Sequence, residues 1–179
     1  MKFEARNCRP DTATLAFIAL GSNLGDSPAL LRDAMDSLEA LSTNPLLRSS
    51  LWRSSPVDCP PGSPMFVNAV VALTPLSGET PESLLAKLQA LERASGRRPK
   101  LVLNEPRPLD LDLIVFGWER RASPTLALPH PRACMRRFVL APLAEICPQF
   151  ILPGGSKSVA ALLQALVADE SVVRLKAAD

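Results

Sequence analysis

The sequence predicts an α+β fold in which helices cover one face of an antiparallel sheet. Two observations carry this prediction. The elements follow the order strand, helix, strand, strand, helix, strand, and two of the strands present one fully apolar face. Hydrophobic residues make up 47% of the chain and charged residues 21%, which is ordinary for a globular protein with a real core.

The first strand and the first helix are separated by a glycine-containing segment. Residues 14–20 form a short apolar run, typical of a buried strand, and GSNLGD follows. This segment could cradle a phosphate, but we interpret it as a tight turn that uses Gly21 and Gly25. Pro28 fits the first helical position behind Ser27. The apolar stripe of this helix consists of Leu30, Leu31, Ala34, Leu38 and Leu41.

The next elements complete the pattern. Residues 46–53 and 66–73 are strand candidates joined by a proline-rich loop. A helix follows, in which Thr80 caps the start, Pro81 opens the first turn and Gly96 ends the last. One side of this helix carries Leu84, Leu88 and Leu91.

A strand containing LDLD closes this series, and the resulting order is that of the ferredoxin-like βαββαβ fold. In that layout both helices cover one face of the sheet, and the other face stays open. Residues 118–179 add further elements, including a helix around 159–167. We expect one domain over residues 14–179, behind an N-terminal extension at 1–13.

Composition and charge narrow the functional classes. A formal net charge of +2 argues against a dedicated nucleic-acid surface, and neither a secretory signal nor a membrane span is visible. With one histidine and no C-x-x-C pair, a zinc site is not expected. Scattered cysteines suit a reducing cytosol, so we expect a cytoplasmic protein. We also expect a monomer. The cysteines are Cys8, Cys59, Cys134 and Cys147.

Two aspartates stand two residues apart in a run that otherwise predicts a buried strand. Alternate side chains of a strand point to opposite faces, so Asp110 and Asp112 share one face. At roughly 7 Å apart along the strand, these like charges repel unless positive charge lies between them. A solvated sheet face and a divalent-cation site both satisfy this pattern. The apolar face consists of Leu109, Leu111, Leu113 and Val115.

The strand at 66–73 places two more functional side chains on that polar face. Phe66 and Asn68 alternate with apolar residues, so they share the face opposite the expected helices. An aromatic ring, an amide and two carboxylates are then displayed together. Such a mixture predicts a binding site. The apolar face of this strand consists of Val67, Ala69, Val71 and Leu73.

Basic residues surround this face in sequence. Arg97, Arg98 and Lys100 occupy the loop before the strand, and Arg107 stands three residues before Asp110. Paired carboxylates with arginines suit phosphoryl transfer, in which carboxylates hold Mg²⁺ and arginines clamp the moving group. Two ions about 3.5–4 Å apart could share both carboxylates. We expect Arg97 to reach the phosphates only when its loop folds back over the substrates.

Five sequence blocks together resemble one known family. They are FIALGSNLGD, SSPV with PMFVNAVVAL, LLAKLQALERASGR, EPRPLDLDLIVFG and LPHPRACMRRFVLAPLAEICP, and they span about residues 15–153. The PR-x-LDLD strand and the PHPR…RRFVL block are the most specific. The chain thus resembles the 6-hydroxymethyl-7,8-dihydropterin pyrophosphokinases of folate biosynthesis. The resemblance implies a ferredoxin-like enzyme that moves pyrophosphate from ATP to the hydroxymethyl group of a dihydropterin and releases AMP.

The resemblance also implies roles for individual residues. Asp110 and Asp112 correspond to the ligands of two Mg²⁺ ions. The residues expected around the pterin are Phe66 and Phe138 as stacking rings, Asn68 at the polar edge, and Ser54, Pro56 and Val57 nearby. Those expected at the nucleotide are Gln89, Glu92, Lys100, Leu113, His130 and Arg136, with Arg97 and Arg107 as catalytic arginines.

Several of these residues also have ordinary structural explanations. Gln89 and Glu92 have the three-residue spacing of a solvated helix face. A lone histidine such as His130 is more often structural than functional. Phe66 could be covered by the proline-rich loop, and Phe138 could belong to the core.

Two other functional classes remain open. A metal-dependent phosphodiesterase would use the same carboxylates to activate water, but it would have no use for the aromatic and amide side chains. A ferredoxin-like RNA-binding module would need aromatic and basic side chains on the sheet face, where two carboxylates sit. Within the resemblance, Asn104-Glu105 replaces an aromatic-glycine pair in the loop that closes over the substrates.

Overall fold

The structure is a computed structural model and describes residues 15–97, 105–167 and 170–176 of the 179-residue chain. The expected extension at residues 1–13 lies outside the described residues, as do Arg98, Lys100 and Asn104 of the basic loop. The described part contains an antiparallel sheet packed against helices. This confirms the α+β class.

The main sheet is antiparallel in every strand pair. Its order is β5-β1-β4-β3-β8, and β2 pairs with β4 beside β3, while β6 and β7 form a separate ribbon. The strands are β1 (Ala16–Ser22), β2 (Leu47–Arg48), β3 (Trp52–Ser54), β4 (Phe66–Leu73), β5 (Asp110–Phe116), β6 (Arg121–Ala122), β7 (Ala127–Leu128) and β8 (Val172–Arg174).

The helices begin at recognisable caps. Asp26, and not Ser27, caps the first helix by accepting the N–H of Ala29. Thr80 and Ser83 form a capping box at the second, which ends before Gly96 at a φ of 85°. The helices are α1 (Ser27–Glu39), α2 (Pro81–Ala94), α3 (Arg137–Ile146) and α4 (Val159–Ala165), with a 3₁₀ turn at Ala133–Met135.

One face of the sheet packs against α1 and α2, as the sequence predicts. The apolar positions of β4 and the leucines of β5 meet the stripes of both helices there. The buried residues that α1 and α2 contribute are Leu31, Ala34, Met35, Leu38, Leu84 and Leu88.

The opposite face is not open, contrary to the expectation. A second core lies there, in which Phe17, Val70 and Ile114 of the sheet pack against Val139 and Leu143 of α3. Helix α4 covers the outer side of α3. The βαββαβ pattern ends before these C-terminal helices, so it could not show that they fold back onto the sheet. A pocket lies at one end of this face, and polar side chains line it.

Strand β5 contains a bulge that alters the predicted alternation. Phe17 pairs with Val115 and Ile18 with Leu113, so Ile114 is an extra residue. Val115 therefore joins the second core and Phe116 takes the leucine face, so the predicted placement of Val115 was wrong. The bulge lies beyond Asp112, and the two aspartates keep their common face.

The predicted strand at 46–53 is split into β2 and β3. Between them, the Ser49 hydroxyl accepts the N–H of Val70 at 2.9 Å, in place of a ladder carbonyl. Glu145 of α3 accepts the N–H of Ser50 and the indole N–H of Trp52, both at 3.0 Å. The break thus anchors α3 to the sheet.

Two observations concern the cellular setting. No helix in the described ranges is long and apolar enough to cross a membrane. Cys59 and Cys134 are free thiols in the part of the chain that the structure describes.

Candidate functional site

The pocket opens at one end of the sheet, between β1, β4 and β5 on one side and the start of α3 on the other. Its volume is about 670 Å³, including the solvent at its mouth. Nine of the sixteen residues that the sequence predicts for the site line this pocket. Those present are Ser54, Val57, Phe66, Asn68, Arg107, Asp110, Asp112, Arg136 and Phe138.

The floor of the pocket is a row of three residues across the sheet. Gly21 of β1 lies opposite Asn68 on one side and Asp110 on the other. A Cβ at Gly21 would lie 3.4 Å from Asn68 Oδ1 and 4.0 Å from Asp110 Cβ. Gly21 therefore leaves space between the amide and the carboxylate. Its assignment to the turn was wrong, since it belongs to β1, and a glycine directly after an apolar run was the available signal.

The turn after β1 positions an arginine of the pocket. Asn23 is buried, and its Oδ1 accepts the backbone N–H of Arg107 at 2.9 Å. In return, Asn23 N–H donates to Arg107 O at 3.2 Å. Gly25 completes the turn at a φ of 79°. This segment thus fixes the strand approach to Asp110, a role that the sequence did not indicate.

Asn68 is held by a hydrogen bond within the pocket wall. Its Nδ2 donates to Ser54 Oγ at 2.9 Å, and both side chains are buried. The register of β3 and β4 explains the pairing, because Ser54 lies opposite Phe66, two residues from Asn68. The bond fixes the orientation of the amide, with Oδ1 on the side of Gly21.

Two aromatic rings line the pocket, and each lies under an arginine. The guanidinium carbon of Arg107 is 5.8 Å from the centroid of Phe66, and that of Arg136 is 5.4 Å from the centroid of Phe138. Phe66 belongs to β4 and Phe138 to α3, so the rings come from the two sides of the pocket.

Asp110 is the centre of an ion-pair network. Arg97 Nη1 lies 2.7 Å from Asp110 Oδ1, and Arg107 Nη2 lies 2.5 Å from Asp110 Oδ2. Arg97 also pairs with Glu92. Arg97, three residues after the end of α2, thus contacts Asp110 directly. The loop that follows it, residues 98–104, lies outside the described residues, so its closure over the substrates stays a prediction.

Glu92 is a buried member of this network. Its Oε1 accepts the N–H of Leu111 at 2.7 Å, which ties α2 to the aspartate strand. Burial raises the pKa of Glu92, while the Leu111 N–H and Arg97 act in the opposite direction. The solvated-face explanation therefore fails for Glu92, whereas Gln89 is exposed on α2.

Asp112, like Asp110, is partly buried. Its pKa is raised by burial and then by the charge of Asp110, while His130, Arg136 and Arg107 oppose the shift. The backbone N–H of His130 donates to Ile114 O at 2.8 Å, which fixes the histidine beside β5. Burial lowers the pKa of His130, against the attraction of Asp112. Positive groups thus surround this carboxylate.

The remaining predicted residues are placed less directly. Pro56 belongs to the same turn as Val57 but does not line the pocket. The side chain of Leu113 is buried against α1 and α2, opposite the aspartates, which leaves only its backbone for a ligand. Lys100 lies outside the described residues. Lining residues that the sequence did not indicate include Ala19, Ser55, Cys59 and Val139.

The donor set suits a cation that also binds phosphate. Within the described ranges no group of three or more His, Cys, Asp and Glu side chains could hold a metal alone. Mg²⁺ is usually bound through one or two carboxylates and substrate phosphates, and Asp110 and Asp112 provide that pair. Arg107 Nε and Nη1 are buried and have no hydrogen-bond partner in the described part of the chain, and a guanidinium with unmade bonds favours an anionic oxygen as partner.

Comparison with known proteins agrees with this geometry. The family model for 7,8-dihydro-6-hydroxymethylpterin-pyrophosphokinase (HPPK) matches residues 17–148. A 2-amino-4-hydroxy-6-hydroxymethyldihydropteridine pyrophosphokinase of Pseudomonas aeruginosa is 40% identical over 140 residues, which is 78% of this chain and 84% of the relative. One of the same name from Bacillus subtilis is 38% identical over 136 residues, covering 75% and 79%.

Solved structures show the same fold at low sequence identity. A Plasmodium falciparum HPPK-DHPS crystal structure aligns with a TM-score of 0.64 at 12% identity and covers 84% of this chain. An HPPK-DHPS in complex with substrates aligns with a TM-score of 0.67 at 11% identity. The alignments cover 43% of each of those longer chains.

Proposed function

The chain belongs to the 7,8-dihydro-6-hydroxymethylpterin-pyrophosphokinase family, and from this premise we propose that it transfers pyrophosphate from ATP to the hydroxymethyl group of 6-hydroxymethyl-7,8-dihydropterin, releasing AMP. One observation supports this proposal for the side chains of this chain. A single pocket joins two aromatic rings and an oriented amide to two carboxylates and two arginines. The rings and the amide suit a flat heterocycle, and the carboxylates and arginines suit a polyphosphate with its metal ions.

The pterin half of the site is built by β3, β4 and α3. Phe66 and Phe138 stack on the two faces of the ring, and Asn68 bonds to its polar edge. Because Ser54 already accepts one Asn68 N–H, the amide is held ready for the ligand at little further cost in entropy. Val57 lines this half as well, and the backbone of Pro56 beside it is a further proposed contact.

The phosphate half is built by β5 and the ends of the basic loop. Asp110 and Asp112 would hold two Mg²⁺ ions with the phosphates of ATP, and the ions would neutralise phosphate charge and lower the pKa of the pterin hydroxyl. The unpartnered N–H groups of Arg107 can bind phosphate oxygens. Arg136 adds positive charge beside Asp112, and His130, whose pKa is lowered by burial, lies next to the same carboxylate as a proposed nucleotide contact. These side chains act by positioning and charge neutralisation.

Three further proposals concern the residues around the nucleotide. Gln89 on α2, the backbone of Leu113, and Lys100 in the basic loop are proposed nucleotide contacts. Glu92 is proposed to hold the site together rather than to touch the nucleotide, because both its strand and its arginine contacts face inward. Arg97 and Arg107 are proposed catalytic arginines.

The finer architecture is also proposed. The order β5-β1-β4-β3 is that of two interleaved βαβ units, which supports a ferredoxin-like topology. A single domain over residues 14–179, a cytoplasmic location and a monomeric state complete the proposal.

The two rival functions fit the pocket less well. A phosphodiesterase needs the carboxylates but not two rings facing a buried amide. An RNA-binding sheet surface would be exposed, whereas Phe66 and Asn68 are 9% and 4% exposed at the bottom of a pocket.

The reaction can be tested directly from its products. Purified protein is mixed with Mg²⁺-ATP and 6-hydroxymethyl-7,8-dihydropterin, and nucleotides are separated by chromatography. We expect AMP and a diphosphorylated pterin in equal amounts. ADP, or nucleotide cleavage that does not depend on the pterin, would contradict the proposal. A Gln89→Ala variant tests the proposed nucleotide contact on α2, and a rise in KM for ATP alone would support it.

A further inference from the structure

One short segment near the C-terminus fastens one wall of the pocket. The carbonyl of Ser171 accepts the backbone N–H of Ser55 at 3.1 Å, and Ser171 N–H donates to Ser55 Oγ at 3.2 Å. The pairing of β8 continues this contact, with Val172 opposite Ser54. The wall that carries Ser54 and Ser55 is therefore bonded to residues 171–172.

The same segment also reaches the opposite wall, at the first turn of α3. Arg136 is the N-cap residue of this helix, and its side chain makes no capping hydrogen bond. Glu170 Oε1 accepts the N–H of Arg137 at 2.5 Å instead. A carboxylate there satisfies an otherwise unpaired helix N–H and interacts favourably with the helix dipole.

A second contact holds this turn in place. Arg137 Nη2 donates to Leu166 O at 2.9 Å, at the end of α4. The other oxygen of Glu170, Oε2, is buried without a hydrogen-bond partner. Burial of this oxygen costs desolvation free energy, which favours a solvent-exposed position of the carboxylate. The hydrogen bond from Arg137 N–H to Oε1 opposes that tendency and keeps Glu170 in place.

The capped turn carries the pocket residues of α3. Arg136 and Phe138 flank Arg137, and both line the pocket. We propose that Glu170 is a positioning residue for the pterin, which holds the Phe138 ring at a fixed separation from the β3 wall. This inference rests on the proposed pterin binding. Without the cap, the N–H of Arg137 in the first turn of α3 loses its carboxylate acceptor, and the ring must be ordered by the ligand itself.

The test has one readout that needs no substrate and one that does. Amide hydrogen exchange is measured at residues 137–139 in the wild type, in Glu170→Ala and in a matched control, Ser171→Ala. The control side chain is exposed, and the contacts of Ser171 use its backbone. We expect faster exchange at these amides in Glu170→Ala alone.

Steady-state kinetics then tests the link to the pterin. In Glu170→Ala we expect KM for the pterin to rise about three- to tenfold, the size of a lost helix cap, with kcat within about twofold. Glu170→Gln keeps an acceptor oxygen and should retain more of the pterin affinity than the alanine variant. It also serves if Glu170→Ala fails to fold.

Each contrary result has a distinct meaning. Unchanged exchange at residues 137–139 overturns the capping role, whatever the enzyme does. Faster exchange with an unchanged KM for the pterin overturns the positioning role, as does an equal rise in Ser171→Ala. If the wild type itself shows no pterin-dependent AMP formation, the proposed function fails, and with it the pterin-positioning inference, while the exchange data still decide the capping contact.

Discussion

The guanidinium group of Arg107 lies 2.5 Å from Asp110 Oδ2, and Arg97 occupies the other oxygen of the same carboxylate at 2.7 Å. A proposed metal ligand is thus bonded to two cations in the ligand-free protein. These arginines must shift or share Asp110 before a metal can bind to it. The phosphates of ATP offer both arginines alternative partners. Arg107 can bond to them readily, since two of its N–H groups have no hydrogen-bond partner in the described part of the chain.

We therefore expect the metal site to form only with the nucleotide. Mn²⁺ titrated into the protein without ATP, followed by electron paramagnetic resonance, should bind weakly. Arg97→Ala should tighten this binding about tenfold or more, because a hydrogen-bonded cation no longer competes for Asp110.

The matched control for this experiment is Arg48→Ala. Arg48 pairs with Asp36 and Glu39 at the surface, so its loss changes the net charge equally without touching the pocket. Tight Mn²⁺ binding to the wild type without nucleotide would refute the competition, and so would equal gains in both variants.

The two aspartates should differ in their effect on stability. Asp110→Asn removes the partner of Arg97 and Arg107, so we expect a loss of about 1–3 kcal/mol in the free energy of unfolding. Asp110→Asn should also nearly abolish turnover, as should Asp112→Asn.

Asp112→Asn should leave stability unchanged or increase it. The pKa of Asp112 is raised in the folded state, so its ionised form destabilises the fold above that pKa, and the penalty is absent at low pH. A neutral amide removes the penalty at neutral pH. Urea unfolding at pH 7 of both variants checks the contrast, and equal losses would count against it.

Removal of the Phe66 ring should weaken the pterin half selectively. Phe66→Ala is expected to cost roughly 1–3 kcal/mol of pterin binding, by analogy with base–aromatic stacking. Nucleotide binding should change less, although Arg107 loses the ring beneath it. Calorimetry with each ligand separately measures both effects. Parallel losses for the two ligands would indicate a general disturbance of the pocket.

A methyl group on the pocket floor tests the role of Gly21. Gly21→Ala places a carbon 3.4 Å from Asn68 Oδ1, an ordinary contact that the fold tolerates. Alanine also loses less backbone entropy on folding than glycine, so we expect an unchanged or raised melting temperature. The methyl group occupies ligand space, however, and pterin affinity should fall about tenfold or more, in line with the cost of overpacking. Unaltered affinity in a folded variant would show that the floor is not used.

The sequence was sufficient wherever local periodicity decided the structure. The alternation in LDLD placed Asp110 and Asp112 on one face, and that in residues 66–73 placed Phe66 and Asn68 on the corresponding face of β4. The stripes of α1 and α2 likewise followed from helical spacing, and the two ends of α2 followed from Thr80 and Gly96. These features depend on side chains a few residues apart.

The tertiary structure decided the contacts between distant segments. The cover of the second sheet face by α3, the bulge at Ile114 and the bond between Asn23 and Arg107 involve partners far apart in the chain or a single extra residue, which no periodic pattern encodes. Glu92 is buried and Gln89 is exposed although both lie on α2, and this difference depends on how α2 packs in the fold. Asp110 is enclosed by two arginines because α2 ends beside β5, so its electrostatic state in the ligand-free protein depends on how the folded elements meet.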